Sequence, residues 1–394
     1  MNNDHWLLPE GIEELLPEDA EQIEWMRRRL LDFFSTWGYE LVIPPFVEYI
    51  DSLLTGMGND LELQTYKLID QKNGRMMGIR ADMTPQVARI DAHQLARLHP
   101  ARLCYIGTVL LTHAEDLSNA RSLMQIGAEL FGHAGLESDI ETLSLMLAML
   151  EQVGIDNIYV DLGHVGIFRG LAKQACLDEK QEAKLFDALQ RKATPEIDVL
   201  LRAFDIEKST KDMLRQLTWL NGGSEIIQQA RELLQPADKF VHQAINDLEN
   251  IAVRVQKQNP GIQVHYDLAE LRGYHYHTGM VFAAYQPGVG QAIAKGGRYD
   301  HIGEVFGRAR PATGFSADLR TLMHFATNNS QPIFGIYAPA DQDESLQARI
   351  AELRQSGERV VQELPGQTGD AVVMACNRKL EKQNGRWEIT AINQ

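Results

Sequence analysis

The chain has 394 residues, of which 44% are hydrophobic, so it is long enough for one large domain with insertions or for two to three domains. Its net charge of −16 argues against a large polyanion as the main partner, because phosphate binding needs Lys and Arg concentrated on one face. The sequence has no apolar run of about 18 residues and no secretion signal, which predicts a cytoplasmic protein. Its three cysteines lack CxxC spacing, which disfavours a disulfide framework.

The first predicted elements are a helix and a strand. Residues 17–38 carry an apolar stripe at helical spacing, with acidic residues in the first turn and Gly38 as the stop. A strand over residues 39–43 ends at Pro44 and Pro45, which cannot donate to a β-ladder. This favours a sheet edge or a subunit boundary, and a plain turn is equally compatible.

Two β-hairpins are predicted next. Residues 66–70 and 75–80 flank Asn73-Gly74, a pair typical of tight hairpin turns. A longer hairpin joins strands at 102–111 and 122–132 through a polar loop. Both hairpins indicate antiparallel pairing.

A strand-to-helix junction lies between these hairpins. Thr84 is predicted as the N-cap and Pro85 as the first helical residue of a helix over 86–98. Arg80 and Asp82 are left at the junction, where polar groups converge on the end of a sheet.

The strand at 122–132 alternates with period two. Gln125 and Glu129 therefore point to the same side, and Gly127 between them removes bulk. The pattern predicts a shallow polar slot that fits a small ligand with a positive amino group. On this stretch alone, a solvated outer face of an ordinary strand is equally compatible.

The middle of the chain predicts helices inserted into a sheet domain. A helix at 138–153 and a strand at 158–162 precede a region that is helical in pattern from about 168 to 258. Strands resume at 264–268 and 280–285. Strands on both sides of a helical block, with hairpins dominating, indicate an α+β fold around an antiparallel sheet.

A polar linker at 327–331 separates a core domain over 1–326 from a small C-terminal module over 332–394. The module is predicted to contain a strand, a helix and a terminal hairpin that turns at Asn384 and Gly385. Its acidic balance does not mark it as nucleic-acid binding.

Several motifs, in order along residues 5–325, resemble class II aminoacyl-tRNA synthetases and, within that class, histidyl-tRNA synthetase. Pro44-Pro-x-x-Glu48 resembles motif 1, which builds the dimer of the class, and the strand with Gln125 and Glu129 resembles motif 2. Three stretches resemble signatures of the histidine-specific branch: Arg80-Ala-Asp-Met-Thr84, Arg272-Gly-Tyr-His-Tyr276 and Gly296-Gly-Arg-Tyr-Asp300. The resemblance implies a class II synthetase-like antiparallel sheet flanked by helices, with the helical insertion and a small C-terminal α/β module.

The departures from the synthetase pattern concern the chemistry of amino-acid activation. With the spacing to Gln125 kept, the motif 2 arginine corresponds to Leu111, and the motif 3 arginine corresponds to Thr321. A motif 3 glycine has become Asp318. A smaller deviation is Ala81, where a proline is usual; it is expected to loosen the turn and to affect the ligand little. Losing one donor that stabilises transition-state charge costs about 10²–10³ in rate. Two lost donors and an added carboxylate therefore predict negligible adenylation.

The histidine-binding side of the pocket is retained. The residues that correspond to those holding histidine in the synthetase are Asp82, Thr84, Gln125, Glu129, Arg272 and Tyr276. The resemblance implies acceptors for the ammonium group, a carboxylate and a phenol for the imidazole, and Arg272 for the ligand's carboxylate. Histidine is then expected to bind without being activated.

A synthetase-like body that lacks the activation residues and a full-length anticodon domain resembles the regulatory subunits of the short-form ATP phosphoribosyltransferase, the first enzyme of histidine biosynthesis. The resemblance implies a non-catalytic chain that activates a separate short catalytic subunit and mediates feedback inhibition by histidine. It also implies a homodimer through the motif 1 region within a hetero-oligomer, without tRNA or membrane. A divergent histidyl-tRNA synthetase or histidine-activating paralogue is the main alternative, and a scaffold with a vestigial pocket is another.

No metal or cofactor is expected. The histidines at 164, 275, 277 and 301 fit no standard ligand spacing. The chain shows no Gly-rich or Ser/Thr-rich phosphate loop. The nearest candidate, Gly296-Gly297, is interpreted as a close-packing turn beside the pocket.

Overall fold

The computed structural model describes residues 6–54, 59–114, 119–270, 276–327 and 334–392. The chain divides into two compact units, Met1–Asn329 and Ser330–Gln394, and each has a hydrophobic core of its own. Of the helices in these ranges, none is both long and apolar enough to cross a membrane.

The large unit is built on a mainly antiparallel sheet. Its strands, in the part of the chain that the structure describes, are β1 Glu40–Leu41, β2 Val47–Tyr49, β3 Tyr66–Ile69, β4 Met76–Ile79, β5 Ala101–Leu110, β6 Ser122–Phe131, β7 Tyr159–His164, β8 Asn221–Gly222, β9 Gln263–Asp267, β10 Met280–Tyr285, β11 Ala294–Arg298 and β12 Ala312–Asp318. The main sheet has the order β1-β5-β6-β12-β11-β10-β7-β9-β8, and β2-β4-β3 form a smaller sheet. Within the main sheet, β1 with β5 and β7 with β9 pair in parallel, and the other pairs are antiparallel.

Helices cover this sheet and form the insertion. They are α1 Pro17–Thr36, α2 Ile50–Leu53, α3 Asn59–Gln64, α4 Thr84–Arg89, α5 Leu136–Gln152, α6 Val165–Gln174, α7 Glu179–Gln190, α8 Thr194–Ala203, α9 Lys208–Gln216, α10 Glu225–Leu233, α11 Lys239–Gln258 and α12 Leu319–Phe325. The run from α6 to α11 confirms the helical insertion. Within it lies β8, which the sequence did not predict because a two-residue strand has no measurable periodicity.

Strands β5 and β6 are buried on both faces. Cys104 and Ile106 of β5 lie in the first core, with α1 and α5, while Leu103 and Tyr105 lie in a second core on the other face. The alternation is the period-two geometry of a strand placed between two layers. The solvated outer face that the sequence left open for β6 is therefore wrong, since Glu129 is only 1% exposed.

The two predicted Asn-Gly turns, one between β3 and β4 and one in the terminal hairpin, differ in the structure. At Asn384 and Gly385 both φ angles are positive, 49° and 79°, which is the two-residue turn that the sequence predicts. Between β3 and β4, Asp70 pairs with Arg75 across a four-residue loop, so the tight turn predicted there is wrong. The side chain of Asn73 supports the wider loop, because it accepts from the backbone N–H of Arg75 at 2.9 Å and donates to the Tyr49 hydroxyl at 2.7 Å.

The helix after the first hairpin begins at Thr84, which the sequence predicted as its cap, and then changes its winding. Helix α4 runs over Thr84–Arg89 and continues as a π-helix over Ile90–Leu95. It ends at Ala96, which has a positive φ of 45°. π-Helical turns are rare in proteins, and those that occur often lie at functional sites.

The small unit is a four-stranded sheet with one helix. Its elements are β13 Gly335–Ala338, α13 Glu344–Gln355, β14 Val360–Gln362, β15 Cys376–Gln383 and β16 Arg386–Ala391, and the sheet order is β14-β13-β15-β16. Strand β13 is parallel to both neighbours, and β15 and β16 form the terminal hairpin. The sequence predicted this strand, helix and hairpin and did not predict the short β14.

Candidate functional site

Three neighbouring strands of the main sheet, β5, β6 and β12, hold a buried polar cluster. In β6, Gly127 lies opposite Tyr105 of β5, and Glu129 lies opposite Gly314 of β12. A Cβ atom at Gly127 would collide with the Tyr105 phenol, and one at Gly314 would overlap Oε2 of Glu129. Both glycines therefore make room for polar side chains inside the sheet layer.

The strand-to-helix junction is fastened to β6 by Gln125. Its Nε2 donates to Oδ1 of Asp82 at 2.7 Å, and its Oε1 accepts from the backbone N–H of Met83 at 2.9 Å. The carboxylate of Asp82 also accepts from the backbone N–H of Thr84 at 3.1 Å. Asp82, Gln125 and Thr84 thus form one half-buried polar group, as the sequence expected of neighbours in a site.

Thr84 does not have the capping role that the sequence predicts. Met83 occupies the N-cap position of α4 without a side-chain cap. The hydroxyl of Thr84 instead donates to Oε1 of Glu129 at 3.1 Å and lies 3.0 Å from the hydroxyl of Tyr105. The prediction is wrong because Asp82 already accepts the exposed N–H of this turn, which leaves the Thr84 hydroxyl available to the pocket.

Glu129 lies at the end of this cluster, away from water. Its Oε1 accepts from Tyr105 at 2.9 Å and from Thr84, while Oε2 accepts from Tyr299. Burial, together with the charge of Asp82, raises the pKa of Glu129 to about 8 against the lowering effect of the hydroxyl donors. At neutral pH the side chain is therefore mostly a carboxylic acid, which can donate as well as accept.

The aromatic side of the cluster leads towards the surface. Tyr276 is 46% exposed, and its ring lies 4.3 Å from that of His277, which in turn lies 6.4 Å from the ring of Tyr299. Tyr276 is thus connected to the Glu129 cluster through two further rings. Arg272, the remaining residue of the predicted site, lies outside the described residues.

Two tyrosines that contact Glu129 were not selected from the sequence. Tyr105 faces the cluster because of the β5–β6 register, which cannot be counted through a long connecting loop. Tyr299 belongs to the Gly296–Asp300 signature, and its position in that signature was the available signal. The turn predicted at Gly296 and Gly297 is wrong, because both lie in β11, where a Cβ at Gly296 would meet the ring of Phe282.

The positions that depart from the synthetase pattern lie at or just beyond the ends of β5 and β12, and Asp318 lies opposite Gln125 of β6. Leu111 is 3% exposed and forms a β-bridge with Thr65. The carboxylate of Asp318 accepts from the backbone N–H of Met124 at 2.9 Å and from the backbone N–H and hydroxyl of Thr321 at 3.0 and 2.8 Å. Asp318 is therefore held as the N-cap of α12, and its negative charge is built into the strand-to-helix connection.

Within the five described ranges, the His, Cys, Asp and Glu side chains form no group of three or more that could hold a metal ion. The donor set around Glu129 is instead one of hydroxyl groups, carboxylates and an amide, which suits recognition of a small polar organic ligand.

Comparisons with known proteins follow the division of the chain into two units. Residues 11–322 match the family model described as histidyl-tRNA synthetase, and residues 333–390 match the one described as ATP phosphoribosyltransferase subunit HisZ C-terminal domain. The chain is 55% identical over 394 residues to the ATP phosphoribosyltransferase regulatory subunit of Thioalkalivibrio sulfidiphilus, with 99% of both chains covered. The chain belongs to the family of ATP phosphoribosyltransferase regulatory subunits.

Further relatives support this family membership. A regulatory subunit from Alkalilimnicola ehrlichii is 55% identical over 392 residues, which is 98% of this chain and 97% of that one. A solved structure of an ATP phosphoribosyltransferase regulatory subunit/histidyl-tRNA synthetase from Bacillus halodurans is 27% identical, with a TM-score of 0.82, and covers 93% of this chain and 95% of that one. The family is named for regulatory subunits, in agreement with the non-catalytic role that the sequence implied.

The likeness to a solved synthetase structure concerns the fold alone. Histidyl-tRNA synthetase from Nostoc sp. has a TM-score of 0.77 at 17% identity, covering 98% of this chain and 97% of that one. The α+β, class II synthetase-like fold expected from the sequence is thereby confirmed.

Proposed function

We propose that this regulatory subunit binds a separate short catalytic subunit, activates its phosphoribosyl transfer to ATP, and transmits feedback inhibition by histidine. The observation that carries the proposal is the pairing of an intact polar cluster at Glu129 with uncharged residues at Leu111 and Thr321. A chain of this kind can hold an amino acid and has lost the cations expected at two positions for its activation.

The chemistry of the cluster supports histidine as the ligand. Asp82, Thr84 and Gln125 offer oxygen acceptors to an ammonium group, and the half-buried carboxylate of Asp82 adds a charge-assisted contact. Glu129, which can be an acid or a carboxylate near neutral pH, suits both protonation states of an imidazole. We assign Tyr276 to the imidazole as well, and Arg272 to the ligand's carboxylate, on the synthetase resemblance.

A homodimer through the motif 1 region forms part of this proposal. β1 is an edge strand of the main sheet, and the chain around it exposes apolar side chains: Leu41 is 45%, Ile43 75% and Phe46 42% exposed. An exposed edge with apolar side chains is favourable for pairing with a second copy. We place the resulting hetero-oligomer in the cytoplasm, without tRNA as a partner.

Reconstitution tests the proposal. The short catalytic subunit is assayed for phosphoribosyl transfer alone, with this chain, and with this chain plus histidine. We expect little activity alone, activation by this chain, and loss of the activation-dependent rate with histidine. No activation, or activation that is indifferent to millimolar histidine, would contradict the corresponding part of the proposal.

A different assay distinguishes the regulatory function from that of a divergent histidyl-tRNA synthetase. Histidine-dependent ATP–pyrophosphate exchange is expected to be absent for the wild-type chain and for the Leu111→Arg variant. The single substitution does not restore exchange, because Thr321 and the capped carboxylate of Asp318 still oppose phosphate binding. Robust exchange by either protein would support the enzyme instead.

A further inference from the structure

A segment called the strap here, residues 299–310, begins at the carboxylate of Glu129. Its first residue, Tyr299, donates to Oε2 of Glu129 and is only 3% exposed. Ile302 and Phe306 of the strap pack in the second core together with residues of α4 and the π-helix. The strap is thus in contact with both the proposed ligand pocket and the helix that follows the strand-to-helix junction.

The other end of the strap is fastened to the π-helix and to the segment beyond it. Nη1 of Arg310 donates to both carboxylate oxygens of Asp91, at 2.8 and 2.9 Å, and Nη2 donates to the backbone oxygen of His99 at 2.7 Å. Arg308 donates to the backbone oxygen of Arg97. The ion pair of Arg310 with Asp91 is buried, so it ties the strap firmly to the π-helix.

Segment 97–99 lies at the surface beside β1. Leu98 is 97% exposed, and the guanidinium of Arg97 is paired with the carboxylate of Glu40. A movement of the strap would therefore change a surface that the pocket itself does not reach.

The donors around Glu129 leave one place for a ligand to enter. Oε1 already accepts two hydrogen bonds, from Tyr105 and Thr84. Oε2 accepts from Tyr299, and its other side lies against Gly314. A carboxylate oxygen has two lone-pair directions. Those of Oε2 point to the Tyr299 hydroxyl and to Gly314, and the strand blocks the second. An imidazole N–H can therefore reach Oε2 at the position of the Tyr299 hydroxyl.

We propose that bound histidine takes the place of the Tyr299 hydroxyl at Glu129, and that the strap carries this displacement to the surface segment 97–99. This inference rests on the proposed function, because it describes how the binding of histidine in that pocket is transmitted to the surface. Tyr105 contacts the same carboxylate but is held in the middle of β5, so it stays in place. The two arrangements of Tyr299 are the two states whose relative populations histidine shifts.

Two matched variants of the full chain test the displacement of Tyr299. Tyr299→Phe removes the competing hydroxyl, and Tyr105→Phe removes a hydroxyl from the same carboxylate without touching the strap. In calorimetric titrations with histidine, we expect Tyr299→Phe to bind at least about fivefold more tightly than wild type, since the hydrogen bond from Tyr299 to Glu129 no longer has to be broken. Equal or weaker binding by Tyr299→Phe would overturn the displacement.

Hydrogen exchange of backbone amides tests the transmission. We expect histidine to change exchange in residues 90–99 of the wild type and of Tyr105→Phe, but not of Tyr299→Phe. Arg308→Ala removes the hydrogen bond of the strap to Arg97 and leaves the contacts of Arg310 with Asp91 and His99 in place. We expect this variant to bind histidine as the wild type does and to show a reduced change at 97–99. If Tyr299→Phe fails to fold, the Arg308→Ala result decides the matter.

The outcomes distinguish a failure of the strap mechanism from a failure of the proposed function. Wild type that binds histidine with unchanged exchange in 90–99, or Arg308→Ala that keeps the full response at 97–99, would overturn the strap alone. A wild-type chain that binds no histidine would overturn both this inference and the histidine part of the proposed function.

Discussion

Gln125 and Asp82 are joined by a hydrogen bond of 2.7 Å from Nε2 to Oδ1, although they lie on different elements. The bond fixes the strand-to-helix junction against β6, so the carboxylate of Asp82 is held in place before any ligand arrives. Such preorganisation lowers the ordering cost of binding.

Asp82→Asn removes a charge from this junction and keeps its shape. Because hydrogen bonds to charged groups contribute about 1.5–3 kcal/mol, we expect histidine affinity to fall about tenfold to 100-fold in calorimetry. Asp156→Asn, at an exposed site of the same unit, is the matched control and should bind as the wild type does. Full affinity in Asp82→Asn would remove this carboxylate from the proposed site.

Glu129 makes stability depend on pH. Burial raises its pKa from an ordinary 4.5 to about 8, so between these values the unfolded chain has lost the proton and the folded chain keeps it. The contribution of Glu129 to the free energy of unfolding therefore falls as pH rises from 4.5 to 8, by up to about 1.4 kcal/mol per pH unit.

Denaturant unfolding of Glu129→Gln measures this contribution. We expect a smaller loss of stability between pH 5 and 8 than in the wild type, since an amide does not titrate. Glu151→Gln, at an exposed position, should follow the wild type. Identical pH profiles for wild type and Glu129→Gln would show that Glu129 ionises normally in the folded protein.

His164 has the opposite pH signature. Burial lowers its pKa from 6.5 to about 4, helped by the charges of Arg298 and Arg169, and its Nδ1 accepts from the backbone N–H of Gly166 at 3.1 Å. The unfolded chain takes up a proton first, so stability is lost as pH falls from 6.5 to 4.

His164→Asn keeps an acceptor at this N-cap and does not titrate. We expect stability within about 1 kcal/mol of wild type at pH 7 and a smaller loss on acidification, measured by denaturant unfolding. His324→Asn, at an exposed site, serves as the control. Acid sensitivity equal to the wild type in His164→Asn would locate the effect elsewhere.

Gly314→Ala tests the space that Glu129 occupies. The added methyl would overlap Oε2 of Glu129, so the carboxylate must leave Tyr299 or the strands must shift. We expect a loss of stability of about 1–3 kcal/mol and a fall in histidine affinity of at least about tenfold. Gly290→Ala, where a Cβ meets nothing within 4 Å, should change neither quantity. An unaffected Gly314→Ala would mean that Glu129 is placed differently.

Local patterns predicted the parts of the site that depend on neighbours in the chain. The period of two put Gln125 and Glu129 on one side of β6, and the hairpin signals placed β5 beside it. Thr84 shows the limit of local patterns. Its sequence context predicted a helix cap, but its hydroxyl instead donates to the carboxyl group of Glu129, which lies 45 positions away in the chain.

The rest of the cluster depends on contacts that no local pattern contains. Tyr299 reaches Glu129 across 170 positions of sequence, and Tyr105 faces it only because of the strand register. The burial of Glu129, and with it the high pKa, follows from a second core that covers β6 on its polar side. Periodicity shows which side chains share a face, whereas the layer that covers the face is set by tertiary packing.

Calorimetric titration of the chain with histidine, and separately with ATP, tests whether the pocket binds the amino acid without the nucleotide. We predict saturable binding of histidine that weakens in Asp82→Asn, together with no binding of ATP in the presence or absence of histidine. Tight binding of ATP, or no heat with histidine up to millimolar concentration, would contradict it.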